Sequence, residues 1–548
     1  MWPNKNKMRR FYLFLFFLSF VITTSAKTPE GDGGKPSPWD AVLSFGTPKY
    51  EVRAVWLTTM GGLDWPHSYS QSARSMEKQK EELRNILDRL KQANINTVIL
   101  QTRIRGTVIY PSRYEPWDGC LSGFPGKSPG YDALAFAINE CHKRGMEVHA
   151  WIVAMPVGKW NQLGCRMLRR RFPGLIRRIG PEGYMNPEDP RTGDYLAEIC
   201  AEITHRYDID GINLDYIRYP ENWSIRVSHD AARNYITSIV RKIHDAVKTE
   251  KPWVKMSCSP VGKFEDLSRY GSHGWNAYDR VCQDAQGWLR SGLMDELFPM
   301  MYFRDNQFFP FAIDWAEQSD QKMIAPGLGI YFLNPGEGDW SLGDITRELF
   351  QIRSFGLGQA FFRSKFLTDN TQGIYTFITD DFNRYPALVP PMTWERTVPT
   401  DTTYNIYAGS HPIDINDARN LVAIRLPESQ MEKCRRQLGK SNCIIVPMDR
   451  YGRELIPPHD KSRKIFRSIP LLTCDGNRLQ LPPKRDGEEE VQTVMIKTLQ
   501  GQIIAAVPTR GGIVSVRGIP NGIYTLYSLN NRKIAHRLGT FVISRPAY

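Results

Sequence analysis

The chain has 548 residues, 41 % hydrophobic and 24 % charged, ordinary globular usage that excludes a disordered, collagen-like or coiled-coil protein. Lys+Arg 71 against Asp+Glu 58 leaves a net charge of +13, spread along the sequence with no basic arm or acidic tail, which argues against nucleic acid as a partner. Nine cysteines in this length are too sparse for a disulfide scaffold.

The N-terminus reads as an export signal. Lys5, Lys7, Arg9 and Arg10 precede the apolar run Phe11–Ile22, and Thr24-Ser25-Ala26 offers small residues for cleavage after Ala26. The apolar run is short for a membrane span, and the first cysteine is Cys120. The expected product is an exported protein, periplasmic or extracellular, that is not a lipoprotein and keeps no transmembrane segment. Residues 27–48, rich in Gly, Pro and Ser, read as a linker.

From Arg53 onward one pattern recurs. Short β-branched or aromatic runs stand at Arg53–Thr59, Thr97–Arg103, Glu147–Val153, Gly211–Asp215, Lys255–Pro260, Glu296–Phe303, Met323–Tyr331 and Gln359–Arg363, as buried parallel strands do. Amphipathic helical patterns fall between them, at Glu77–Ala93, Tyr131–Arg144 (with Gly145 as a stop), Asp194–Tyr207, Asp230–Val247, Trp275–Ser291 and Asp344–Phe355. Eight strand–helix units predict an α/β protein with a (β/α)8 TIM barrel over 49–390. A doubly wound sheet would carry a Gly-rich phosphate turn after its first strand, and none is present. Past Met392 helical periodicity fades and short strands separated by turn signals predict a smaller C-terminal β-sandwich over 395–548.

In a barrel of this kind the chemistry lies where strands end. The fourth run, Gly211-Ile212-Asn213-Leu214-Asp215, alternates so that Gly211, Asn213 and Asp215 face the interior. A carboxylate there is costly to desolvate without a purpose or a partner. The bland alternative is an ion pair with Arg103 or Arg218. Glycoside cleavage needs two carboxyl groups, one protonated for the leaving oxygen and one acting as nucleophile or base. Asp215 is the first candidate, Asp305 just past the sixth run the second, and Asp64 after the first run the third. Arg103, His149, Trp151, Tyr302, Trp65, Asn213 and Arg218 are the expected substrate-binding residues. Aromatics gather at the same end, and a ring offers its face to the apolar side of a sugar. The long segment after the third run carries Arg166, Arg169, Arg170, Arg171, Arg177 and Arg178. A solvated face is the ordinary reading; the other is a site for an anionic glycan or carboxylate. No Cys/His spacing suggests a metal site, and no cofactor is expected.

Residues 49–390 resemble the bacterial glycosyl hydrolase-like 10 domain family of secreted barrel proteins. The matching words include Arg53-Ala54-Val55-Trp56, Leu63-Asp64-Trp65-Pro66, Asn96 to Arg103, Tyr110-Pro111-Ser112, Glu115-Pro116-Trp117, His149-Ala150-Trp151, Met185-Asn186-Pro187, Asp210 to Pro220, and Pro299 to Tyr302. The resemblance implies a (β/α)8 barrel and a glycosidase-like role, with no defined substrate. Two departures stand out: Gly106-Thr107 replaces a usual Asp, and Val153-Ala154-Met155-Pro156 replaces an Asn-Pro after Trp151. The fourth run also looks like the chitinase-type strand, but Ile217 occupies the position of that enzyme's acid. Two readings follow. One is an exported glycoside hydrolase acting on a poly- or oligosaccharide. The other is a non-catalytic carbohydrate-binding envelope protein on a barrel scaffold.

Overall fold

The computed structural model describes residues 48–395, 402–409, 413–438, 442–455 and, with short interruptions, 472–543. The expected signal peptide and nearly all of the linker lie outside these residues. The strands of the first unit are β1 (Arg53–Leu57), β2 (Thr97–Arg103), β3 (Glu147–Val153), β4 (Pro156–Lys159), β5 (Ile176–Ile179), β6 (Glu182–Met185), β7 (Gly211–Asp215), β8 (Lys255–Cys258), β9 (Glu296–Leu297), β10 (Met300–Met301), β11 (Met323–Ile324), β12 (Gly327–Leu328) and β13 (Gln359–Phe361). The parallel sheet runs β10-β12-β13-β1-β2-β3-β7-β8-β9-β11. Because β9 and β10 are halves of one run, and β11 and β12 of the next, both ends of this order meet and the sheet closes as an eight-stranded (β/α) barrel.

Alternation sets what each strand shows. Val148, Ala150, Ile152, Ile212 and Leu214 pack into the shell under the helices, whereas Trp56, Ile99, Trp151, Val153 and Phe298 form the separate inner core. The shell is α1 (Ala73–Gln92), α2 (Ala133–His142), α4 (Pro190–Arg206), α5 (His229–Glu250), α6 (Ala285–Arg290), α7 (Phe309–Glu317) and α8 (Leu342–Ser354). Helix starts carry their caps: Ser72, Asp132, Asp189, Ser228 and Ser341 each accept a backbone N–H of the first turn. Helix α7 was not anticipated: its run Phe309-Pro310-Phe311-Ala312-Ile313 is apolar all round and fully buried, so it has no periodic polar face to read. The Arg-rich segment after β3 is an insert, the antiparallel sheet β4-β6-β5 with α3 (Leu163–Arg171).

The C-terminal part is antiparallel. Its first sheet joins β14 (Thr402–Ala408), β15 (Leu421–Leu426) and β16 (Cys443–Asp449), with helix α9 (Glu428–Leu438) between the last two. A seven-stranded antiparallel sheet follows within residues 474–543. The first sheet closes the floor of the barrel. Met392 and Tyr451 complete the inner core. Arg425, at φ 52 beside an irregularity in the β14–β15 register, places Nη1 2.5 Å from Glu147 and Nη2 2.6 Å from Asp210. Lys255 binds the same Glu147 at 2.6 Å, and His142 Nε2 lies 2.8 Å from Asp210. Burial pushes Glu147 up, but Lys255 and Arg425 outweigh it and hold the carboxyl at about 2. Gly145 permits the approach: at φ +69 its missing Cβ would stand 2.5 Å from the Ile424 carbonyl oxygen.

Glu296 shares this floor and has no such compensation. Both its oxygens are buried without a hydrogen bond, and burial raises it from 4.5 to about 7, with His149 and Lys255 opposing. Between about 4.5 and 7 the folded protein holds a proton that the unfolded chain has released, so stability falls as pH rises through that window and the full penalty applies above it. Glu296→Gln is expected to stabilise the protein above pH 7 and to flatten that slope. Urea denaturation at either end of the window measures both, and a variant no more stable above pH 7 would contradict it.

Candidate active site

Strand β7 delivers Asp215 to the rim of the barrel. Its carboxyl is 6 % exposed. Oδ2 accepts the indole N–H of Trp151 at 3.1 Å, and Oδ1 accepts the backbone N–H of Tyr216 at 2.8 Å. Trp151 reaches it because residues 149, 151 and 153 of β3 face inward with 211, 213 and 215 of β7 in register. Burial raises the Asp215 pKa above the ordinary carboxylate range, and Arg218 opposes the shift. Tyr216 turns the chain sharply at φ 52, a conformation costing about 1–3 kcal/mol for a non-glycine residue and often found at functional sites.

Among the described residues two donors near this carboxyl have no hydrogen-bond partner. The Tyr302 hydroxyl is buried without a hydrogen bond; burial, with Asp215 next among the causes, drives its pKa well up, so it stays a donor. Arg218 Nη1 is likewise buried and unpartnered. Unmet buried donors beside an acid are costly and are the groups a sugar hydroxyl would satisfy. Tyr302 also begins an aromatic wall: it meets Tyr331 at 5.8 Å and Phe362 at 5.4 Å between ring centroids. Tyr331 meets Phe332 at 4.1 Å, which stacks on Trp340 at 4.6 Å. Beneath Asp215, Asn213 is fixed by Ser257 and Ser259 on the next strand at 3.1 and 3.0 Å.

The structure therefore brings Asp215, Trp151, Tyr302 and Arg218 together, with Asn213 below them. Asp305 sits among arginines: its side chain is 56 % exposed, 3.6 Å from Arg347 and 3.9 Å from Arg304. Asp64 is buried and fully engaged by the Thr58 N–H (2.8 Å), the Lys365 N–H (3.1 Å) and the Arg363 guanidinium (2.6 Å), a knot tying the loop after β1 to the end of the eighth run. Trp65 is fully buried and donates to the Gln79 carbonyl of α1.

Arg103 follows a break in the β2–β3 register. It spends its donors on Glu115, at 2.7–3.0 Å, and on the carbonyls of Val153 and Ala154, so it braces the end of β3. His149 pairs with Gly211, four residues before Asp215, or about 13 Å lower along the strand. There it faces Glu147 at 3.2 Å and Glu296 at 3.8 Å. Arg218 itself is paired with Glu221 at 2.7 Å, at i,i+3 spacing immediately after the fourth-run motif. Among the described residues no group of three His, Cys, Asp or Glu is arranged to hold a metal ion, and no helix is long and apolar enough to cross a membrane.

The sequence profile of the family described as glycosyl hydrolase-like 10 matches residues 51–332. The chain belongs to this family. Glycosyl hydrolase YngK of Bacillus subtilis (strain 168) is 30 % identical over 386 residues, covering 64 % of this chain and 75 % of that one. Glycosyl hydrolase DigH of Escherichia coli (strain K12) is 29 % identical over 342 residues, covering 54 % and 78 %. Membership gives the protein a glycosidase-type function. Among solved structures it is similar to α-L-fucosidase isoenzyme 2 from Paenibacillus thiaminolyticus, with a TM-score of 0.41 and 14 % identity over 61 % of this chain and 49 % of that one. The chain thus spans about half the length of that fucosidase, and so loose a likeness carries nothing further.

Proposed function

We propose that this protein is an exported glycoside hydrolase that cleaves O-glycosyl bonds in a poly- or oligosaccharide, with Asp215 as the general acid. The observation that carries the reading is the buried Asp215 carboxyl at the strand ends, raised by desolvation and flanked by two unspent donors. A raised pKa keeps the proton available for the departing glycosidic oxygen. Trp151 holds the carboxyl in place, Tyr302 and Arg218 Nη1 bind sugar hydroxyls, and the Tyr302–Trp340 wall receives the apolar face of the rings. Export rests on the basic, apolar and small-residue order of residues 5–26. The Arg-rich insert favours a glycan bearing carboxylate or sulfate groups: none of Arg166, Arg169, Arg170, Arg171, Arg177 and Arg178 forms an ion pair among the described residues, while Arg169 lies 3.8 Å from the Trp160 ring centroid.

The second reading, a carbohydrate-binding barrel without turnover, is favoured by Asp64, whose carboxyl is fully spent on Thr58, Lys365 and Arg363. A panel of neutral and anionic polysaccharides with reducing-end detection decides between them. The hydrolase releases new reducing ends from at least one. Binding to a glycan with no release from any leaves only the second reading.

A further inference from the structure

We propose that Glu221 is the second carboxyl of this site, the base that activates water against the anomeric carbon. The proposal rests on the glycosidase reading above and draws the second carboxyl from the same turn as Asp215.

The turn after β7 builds the pair. Tyr216, in its left-handed conformation, reverses the chain, and Ile217 and Tyr219 anchor it in the shell. Between and beyond these anchors the chain presents Arg218 and Glu221. The Arg218 guanidinium lies over the Tyr216 ring at 4.2 Å. Its Nε and Nη2 both donate to Glu221 Oε1, at 3.2 and 2.7 Å. An exposed i,i+3 ion pair would deserve no weight, since such pairs contribute little. This one differs on two counts. The Arg218 side chain is only 5 % exposed and, among the described residues, still has Nη1 unspent, so it is a buried hold on Glu221 and not a surface tether. Among the described residues Glu221 Oε2 accepts no hydrogen bond, and the side chain is 46 % exposed, open to solvent water.

Contacts link Glu221 to Asp215 along this turn: Tyr216 donates its N–H to Asp215 at 2.8 Å and carries the Arg218 guanidinium over its ring, and Arg218 in turn holds Glu221. The two environments divide the labour. Asp215 is buried, and burial raises its pKa. Glu221 is half-exposed and has a guanidinium as counter-ion. Such divergence between paired carboxyls is what separates an acid from a base.

The step balances without a further reactant. The water oxygen bonds to the anomeric carbon as the glycosidic C–O bond breaks; the leaving oxygen takes the Asp215 proton, and Glu221 Oε2 takes the water proton. Exchange with solvent then reprotonates Asp215 and deprotonates Glu221. A base acting through water inverts the anomeric centre and needs the carboxyls about 6.5–9.5 Å apart.

The test uses whichever polysaccharide the parent protein cleaves in the panel above. Product anomers are read by NMR in the parent, and kcat, KM and melting temperature are measured for Glu221→Ala and Glu221→Gln. Expected are inversion, a kcat lower by about 10²–10⁴-fold in both variants with KM little changed, and recovery of turnover by Glu221→Ala alone in sodium azide, giving a glycosyl azide. Retention, near-parental kcat in Glu221→Ala, or a loss that azide does not relieve would each overturn Glu221 as the base while leaving the hydrolase intact. A parent that cleaves nothing overturns both.

Discussion

Asp215→Asn is expected to lower reducing-end release by about 10²–10⁴-fold while glycan binding survives. The substitution keeps the shape of the side chain and removes only its ability to carry and give a proton. Its structural cost is bounded. The two carboxyl oxygens accept from Trp151 Nε1 and from the Tyr216 N–H; an amide offers one acceptor, so one N–H must face another donor. A single unsatisfied buried group costs about 1–3 kcal/mol, a modest loss of melting temperature. Tyr302 and the aromatic wall remain, so affinity electrophoresis in the cleaved polysaccharide should show retardation like the parent's. The pH profile adds a second check. A general acid must be protonated, so parental activity falls as pH rises through the Asp215 pKa. Burial places that limb above the ordinary aspartate range. Undiminished turnover by Asp215→Asn, or an alkaline limb unchanged in whatever activity it retains, would end the assignment.

The barrel was legible because its strands are buried on both faces and its helices on one, so the alternation of apolar runs and amphipathic segments in the sequence is the fold itself. Strand starts agree with the runs to the residue, from Arg53 to Gln359, while the first, fifth, sixth, seventh and eighth runs overshoot the strand ends by two or three residues; the sixth and seventh are also each split in two around a proline, Pro299 and Pro326, which has no N–H for the ladder. Asp215 and Trp151 were legible for the same reason, since parity along a strand fixes the inward face. Partners were not. Position at a strand end gives height in the barrel and says nothing of which cation arrives from elsewhere: Asp64 is held by Arg363, 299 residues away. One register break at Gln101–Arg103 is enough to re-aim Arg103. His149 shows the converse error, since an inward-facing residue early in a strand belongs to the floor. The floor itself was invisible, because its decisive cation comes from the C-terminal sheet.

Arg425→Met should therefore destabilise the barrel strongly, although the residue lies outside it. Glu147 and Asp210 are both buried, 3 % and 6 % exposed, and Arg425 bridges them at 2.5 and 2.6 Å. Removing one partner of a buried ion pair costs about 3–5 kcal/mol, because the remaining charge is left dry and undercompensated. Lys255 and His142 soften the loss at each carboxylate without replacing the bridge between them. Methionine keeps much of the stem's packing, so what is measured is chiefly the charge. A lower melting temperature and a lower urea midpoint are expected. A double-mutant cycle with Asp210→Asn isolates the pair from other effects of either change and should return a favourable coupling energy. Activity of the folded variant is expected to stay near the parent's, since Glu147 begins β3 and Asp215 pairs with its last residue, Val153. Additive losses in the cycle would mean that the sheet is held to the barrel by its apolar contacts at Met392 and Tyr451, and that the bridge only follows.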